Sequence, residues 1–317
     1  MCIRDSLYAE DAAKGFLPAT GTLHHLKFPD AAQEGAAMRI ETGVRAGDVI
    51  SPFYDPMIAK LVVHGKDRTA ALSALHDALT RTEIAGSTVN TAFLAALAAD
   101  ADFAAGDVDT GLIGRHQAAL TAIPAPGDET IAAAALAAMD AGKPGPAADP
   151  WSTLSGYAHF HTLSRRIRLR HGEENILARV SARADGRFQV ALEAPHDVVN
   201  THDLRTMPHT ARWPGHVTVF EGAVGYTFAV PDPLAKADEA GAASGSLRAP
   251  MPGLVKLVRA AVGDAVIKGQ PLLILEAMKM EHMIAAPHDG VIAEIAAEGA
   301  QVSDGTVLVR FAEDGQG

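Results

Sequence analysis

The sequence has a single cysteine, Cys2, so it can form no internal disulfide, and this usage fits a reducing compartment. Aromatic residues make up only 5 % of the 317 residues while alanine is abundant, a composition suited to a soluble protein with alanine-rich helices. There is no basic run. With a formal charge of −11 and a sequence pI near 5.6, a nucleic-acid binder is not expected, since such proteins carry a basic stripe or patch. No apolar run reaches the roughly 18 residues that would suggest a membrane span. Nor does the N-terminus show the charged-then-apolar layout of a signal peptide. The fourteen histidines include His24-His25, His159-Phe160-His161 and Glu281-His282, but none falls in an H-x-x-x-H helix or beside further cysteines, so no metal site is expected. These absences point to a cytoplasmic protein that contacts neither nucleic acid nor membrane.

Two proline- and glycine-rich stretches divide what remains. "AGKPGPAADP" (141–150) is too broken for a helix or a central strand, and "PDPLAKADEAGAASGSLRAP" (231–250) has the composition of a mobile tether. The first segment is mixed. "DPMIAKLVVHG" contains a short buried strand, and Leu72, Leu75 and Leu79 follow at helical spacing, with Asp67 as N-cap and Gly86 as stop. "TVNTAFLAALAAD" and "DETIAAAALAAMDAG" give two more helices, the latter ending at Gly142. The middle segment alternates apolar and polar residues, with Asp185-Gly186 as its strongest hairpin signal and two further strands around Glu221-Gly222. It reads as antiparallel β, a small barrel or sandwich.

The last segment is an internal repeat of about 37 residues. Ala249-Pro250 falls on Ala286-Pro287, Gly253 on Gly290 and Val255 on Ile292; after a one-residue slip, Gly263 falls on Gly299, Val266 on Val302, Gly269 on Gly305 and Leu272 on Leu308. Each copy reads as four short strands with glycine at the turns, and the two copies would close into one small sandwich. They are joined by "EAMKMEHMI", with Lys279 at the tip between Met278 and Met280. A tight hairpin prefers Asn-Gly or Asp-Gly, yet no Gly, Asn or Asp occurs from Glu276 to Met283. Local preference is violated here, as happens where function dictates the residues. The residues alone leave two readings open: a solvated lysine beside packing methionines, or a lysine with chemistry to perform.

"EAMKM" within duplicated "AP…G…V…G" units resembles the biotinyl carrier domain of biotin-dependent carboxylases. That resemblance implies biotin amide-linked to Lys279 by a biotin protein ligase, with Met278 and Met280 as the flanking recognition residues. Lipoyl domains share the architecture but carry Asp-Lys-Ala around their lysine. Residues 7–120 are similar to the C-terminal subdomain of biotin carboxylase, through "LYAEDAAKGFLPATGTL", "RIETGVRAGDVISPFYDPMIAKLVVHG" and "AGSTVNTAFLAALAADADFAAGDVDTGLI". In that family the arginine opening R-x-E-T-G stabilises the anionic ureido group of biotin, and the matching residue is Arg39; on the residues alone it is a surface arginine paired with Glu41. Tyr54, Asp55 and Lys60 match motif positions as well and are read as structural. The family's ATP-grasp region, with its phosphate loop and Mg²⁺ carboxylates, has no counterpart, and residues 1–6 match nothing. The sequence is therefore expected to be the C-terminal portion of a longer subunit that uses ATP and Mg²⁺, itself inactive as a carboxylase.

Residues 150–231, from "DPWSTLSGY" with Trp151 as a packing anchor, resemble the domain that docks biotin-bearing subunits onto a carboxyltransferase (beta) subunit. The interval from Thr121 to Arg248 holds about half of the roughly 250 residues a carboxyltransferase barrel needs, so the transferase belongs on a separate chain. The expected architecture is multidomain α+β and β. It comprises a partial biotin carboxylase C-terminal subdomain (7–120), helix and linker (121–149), an antiparallel β docking domain (150–231), a linker (232–248) and a biotinyl/lipoyl-type β-sandwich, or flattened barrel (249–314). The resemblance implies a hetero-oligomeric acyl-CoA carboxylase, most like the methylcrotonyl-CoA branch of leucine degradation, in which Lys279 carries carboxybiotin to a partner that binds the acyl-CoA. Geranyl-, propionyl- and acetyl-CoA branches, and more distantly a lipoyl-type carrier, are the alternatives.

Overall fold

The computed structural model describes residues 1–30, 37–139, 163–182, 188–193, 198–202, 208–232, 246–277, 280–303 and 305–312. The first unit contains β1 (Cys2–Tyr8), β2 (Glu10–Asp11), β3 (Leu17–Pro18), β4 (Gly21–Thr22), β5 (His25–Lys27), β6 (Ala37–Thr42), β7 (Val49–Ile50), β8 (Met57–His64) and β9 (Glu83–Ala85). Its helices are α1 (Arg68–Thr80), α2 (Thr91–Ala99), α3 (Ala101–Ala105) and α4 (Leu112–Leu120). The apolar run forms β8, the centre of an antiparallel β1-β8-β6 sheet. Buried Leu72, Leu75 and Leu79 of α1 pack against it, and the Asp67 side chain accepts from the Ala70 amide at 2.8 Å to start the helix.

Gly86 does not end that helix. The helix stops at Thr80, and Glu83–Ala85 pair with His25–Lys27 before Gly86 is reached. Gly86 has φ +107°, and a Cβ there would lie 1.9 Å from the Thr22 carbonyl oxygen, so the glycine serves a close backbone approach.

The second unit is built from α5 (Asp128–Ala138), β10 (Ser164–His171), β11 (Glu174–Ala182), β12 (Phe188–Glu193), β13 (Val198–His202), β14 (Thr210–Trp213), β15 (His216–Glu221) and β16 (Val224–Ala229). The strands form one antiparallel sheet, ordered β13-β12-β11-β10-β16-β15-β14. Instead of a barrel or sandwich, this sheet curls around α5, which touches both its halves. The helix takes the place of a second sheet because Ala132 to Ala137 are all buried against inward residues such as Leu169, Val180, Val217 and Phe228. Small alanine side chains let the helix sit deep in the concavity. The Glu221 turn is a two-residue link through Gly222 (φ +56°), as expected, whereas Gly142, Trp151 and Asp185-Gly186 lie outside the described residues.

The third unit has eight strands: β17 (Ser246–Arg248), β18 (Gly253–Val258), β19 (Ala265–Val266), β20 (Pro271–Ala277), β21 (Met280–Ala285), β22 (Gly290–Ile295), β23 (Gln301–Val302) and β24 (Val307–Phe311). They form two four-stranded sheets, β17-β24-β22-β19 and β21-β20-β18-β23. Advancing each strand of one sheet by half the set reproduces the order of the other, so the sequence repeat is a structural two-fold. Equivalent bonds confirm it: the Gly263 amide donates to the Ile292 carbonyl at 2.8 Å, and the Gly299 amide to the Val255 carbonyl at 2.8 Å. Leu272, Leu273, Leu275, Ile292 and Val309 fill the space between the sheets.

The first two units share a seam. Ala85 packs with Ala211, Phe220 and Trp213, and His24 stacks on Trp213 at 4.8 Å. Buried Glu83 faces His25 at 2.9 Å, His209, and Lys27 at 3.7 Å. Burial works to raise the Glu83 pKa, but hydrogen bonds from His209 and His25 and the charges of His209 and Lys27 outweigh it, leaving the carboxyl below its ordinary value. Among the described residues, no helix is long and apolar enough to cross a membrane.

Candidate functional site

The junction of the repeat is a hairpin. β20 and β21 pair from Leu273↔Ile284 to Glu276↔Glu281 and end on Ala277↔Met280, leaving two residues to cross between them. Those two, Met278 and Lys279, lie outside the described residues, as does the side chain of Met280. What positions the link is visible on either side of it. Buried Leu273, Leu275 and Ala277 anchor β20 in the core up to its last residue.

The base of the hairpin carries Glu276 opposite Glu281, a repulsive cross-strand pair. Lys256 of β18 neutralises it, with Nζ 2.6 Å from a carboxylate oxygen of each. The same contacts, to Glu276 first and Glu281 second, push the Lys256 pKa well above its ordinary value, so its ammonium stays protonated. One pair further in, burial lowers the His282 pKa and favours the neutral ring.

A second candidate region lies on the first unit. Arg39 is an exposed residue of β6, with a guanidinium nitrogen 2.9 Å from the Glu41 carboxylate. Both project from the open face of the sheet, beside Lys60, which is paired directly with Glu41. A cleft of about 610 Å³ beside them is lined by Glu41, Thr42, Tyr54, Asp55 and Lys60, among others. The structure thus brings together the motif residues Glu41, Tyr54, Asp55 and Lys60, with Arg39 adjacent through its ion pair rather than on the wall. Tyr54 is 71 % exposed at this site, while Asp55 caps the loop by accepting from the Met57 amide at 2.9 Å.

A third cluster was not legible in the sequence. Asp100, Asp102 and His116 converge from the α2–α3 junction and α4, with their ligating atoms within 4.8 Å of one another. The two carboxylates engage opposite ring nitrogens, Asp100 at Nδ1 (2.7 Å) and Asp102 at Nε2 (3.4 Å). Asp100 also accepts from the Phe103 amide at 3.0 Å. That arrangement ties α4 to the start of α3.

Residues 6–115 match the family model described as the biotin carboxylase C-terminal domain, and residues 245–311 the model for biotin-requiring enzymes. The mitochondrial methylcrotonoyl-CoA carboxylase subunit alpha of Dictyostelium discoideum is 36 % identical, over 90 % of this chain and 45 % of its own length. That of Mus musculus is 33 % identical over 97 % of this chain and 46 % of its own. The propionyl-CoA carboxylase alpha chain of Ruegeria pomeroyi is 31 % identical over 98 % of this chain and 51 % of its own. The chain spans about half the length of the curated relatives it matches. Two of these relatives are named as mitochondrial proteins, which lends no support to the cytoplasmic location expected from the sequence.

Proposed function

Because this chain matches the models for the biotin carboxylase C-terminal domain and for biotin-requiring enzymes and is similar to alpha subunits of methylcrotonoyl-CoA carboxylases, we propose that it is the biotin-bearing part of an acyl-CoA carboxylase, most like the methylcrotonoyl-CoA enzyme, with Lys279 as the attachment residue. The observation that carries the proposal is the two-residue link at the repeat junction.

The chemistry of the hairpin suits covalent biotin. Forming an amide requires a neutral, accessible amine. Of the two lysines nearest the junction, Lys256 is held protonated between two carboxylates and is a poor nucleophile. Lys279 falls in the two-residue interval between the last paired residues, Ala277 and Met280. When bound, biotin supplies a ureido nitrogen that takes up a carboxyl group. Attachment also removes the lysine's charge and lengthens its reach.

Co-expression with a biotin protein ligase should give one added biotin by intact mass and retention on streptavidin. Lys279→Ala should lose both. Met280→Leu, nearly unchanged in volume and apolarity, should keep some modification. Persistent biotinylation of Lys279→Ala would move the site elsewhere.

Arg39 is proposed to face the anionic form of the cofactor's ureido group. A permanently charged guanidinium stabilises developing negative charge, and its partner Glu41 fixes its position. In a subunit completed with the ATP-binding region, Arg39→Gln should slow carboxylation of biotin by about a hundredfold. An unchanged rate would reduce Arg39 to a surface residue.

The remaining roles follow from the same reading. A separate carboxyltransferase subunit would bind the acyl-CoA and receive the carboxyl group in a hetero-oligomer, through the unit at 150–231. ATP and Mg²⁺ would be used by the complete subunit. The propionyl-CoA relative keeps that acyl-CoA as the second choice of substrate.

A further inference from the structure

The curled sheet of the second unit uses its outer face unevenly. At the β14–β16 end that face is covered by the first unit, leaving Thr218 1 % and Phe220 8 % exposed. The face continues onto β10–β12, where it is open.

Inward Ile167 and Leu169 of β10 are buried, so alternation turns Arg166, Arg168 and Arg170 outward, and all three are exposed. The register sets Arg166 opposite Arg179 of β11, Arg168 opposite Leu177 and Arg170 opposite Asn175. Glu193 is the acidic residue among them, bonded to Arg179 and 3.5 Å from Arg166. Among the described residues, four guanidinium groups against one carboxylate leave a surplus of three positive charges. Arg168 and Arg170 have no ion-pair partner among the described residues. Like charges set side by side on a sheet cost stability, so the fold gains nothing from this row. It stands on a chain whose net charge is −11.

Successive outward arginines on one strand are about 7 Å apart. That repeat matches carboxylates on alternate residues of an extended strand, or one turn apart on a helix, and each guanidinium can grip one in bidentate fashion. Between the arginines lie Asn175, Leu177 and Ala191 rather than aromatic rings, so the face offers no stacking platform for bases. We propose that the outer face of β10 and β11 docks an acidic surface of the carboxyltransferase chain, extending the seam already formed at the other end of the sheet. The inference rests on the reading of residues 150–231 as the docking unit and names the face that does it.

The test uses the full chain and the carboxyltransferase chain of the same organism, with affinity measured by biolayer interferometry at about 50 and about 300 mM salt. Arg168→Glu with Arg170→Glu should weaken binding by about tenfold or more at low salt, and the difference should shrink at high salt. Arg168→Lys with Arg170→Lys, which keeps the charge, should bind within about threefold of the unaltered chain. Far-ultraviolet circular dichroism of both variants checks the sheet. If the unaltered chain does not bind at all, the docking reading falls and this surface with it. If it binds and the glutamate variant binds equally well, the surface assignment alone is wrong. Equal losses from the lysine and glutamate variants would also overturn it, since charge would not then be the cause. So would a short single-stranded DNA whose binding the glutamate exchange abolishes while the partner chain still binds, because the face would then read nucleic acid.

Discussion

Asp5 shows how one residue can work against its position. It shares the inner face of β1 with Ile3 and Leu7, directly opposite Leu61, which is fully buried. Burial raises its pKa from 3.8 to about 6, and the Ser6 amide, donating at 2.9 Å, offsets this only in part. Since the folded value exceeds the unfolded one, the associated stability is complete below about pH 3.8 and is lost as pH rises through 6. At pH 8 the ionised carboxylate should cost up to about 3 kcal/mol, at 1.36 kcal/mol per pKa unit. Asp5→Asn, neutral throughout, should therefore outlast the unaltered chain in thermal melts at pH 8 and lose that advantage near pH 4. A gap that stayed constant across this range would mean that Asp5 is not buried as a charge. Nothing in the alternation of β1 hides this residue, because the register that places Asp5 inward also places Ile3 and Leu7 inward.

At the scale of elements, the two-fold of the third unit makes its own prediction. Gly263 has φ +93° and Gly299 φ +81°, and a Cβ at either would meet nothing within 4 Å. Alanine at these positions therefore brings backbone strain without a clash. Each substitution should cost about 1–2 kcal/mol, and because the two turns are equivalent the costs should agree within a few tenths. Native-state hydrogen exchange of β18 and β22 amides in the intact chain would read this directly. Unequal losses would show that the halves are equivalent in topology but not in energy. The repeat was legible because turn glycines and apolar alternation are local signals that recur with the period. The helix α5 was legible too, from the stretch "DETIAAAALAAMDAG", but not its place. Alanine on every side gives a helix no amphipathic face to announce its neighbour, and only the concave sheet assigns it one. Gly86 was misread for a related reason: a glycine after a helical run looks like a stop until the strand it ends finds its partner sixty residues upstream in β5.

For the molecule as a whole, the sequence by itself determined the three segments, the duplicated sandwich, the lysine at its junction and the motif residues Arg39, Tyr54, Asp55 and Lys60. Each is written in contiguous residues, and strand alternation, turn chemistry and short motifs act over a few positions. Only the tertiary structure decided what those segments do to one another. It set Glu83 of the first unit against His209 of the second, 126 residues away, and stacked His24 on Trp213. It brought Asp100 and Asp102 to the two ring nitrogens of His116, a tie between α4 and the start of α3. It also covered one end of the curled sheet and left the arginines of β10 open at the other. Charge and apolar pattern fix which face of a strand points outward, but whether that face meets water or another unit depends on contacts between residues far apart in the chain, which the folded chain alone brings together.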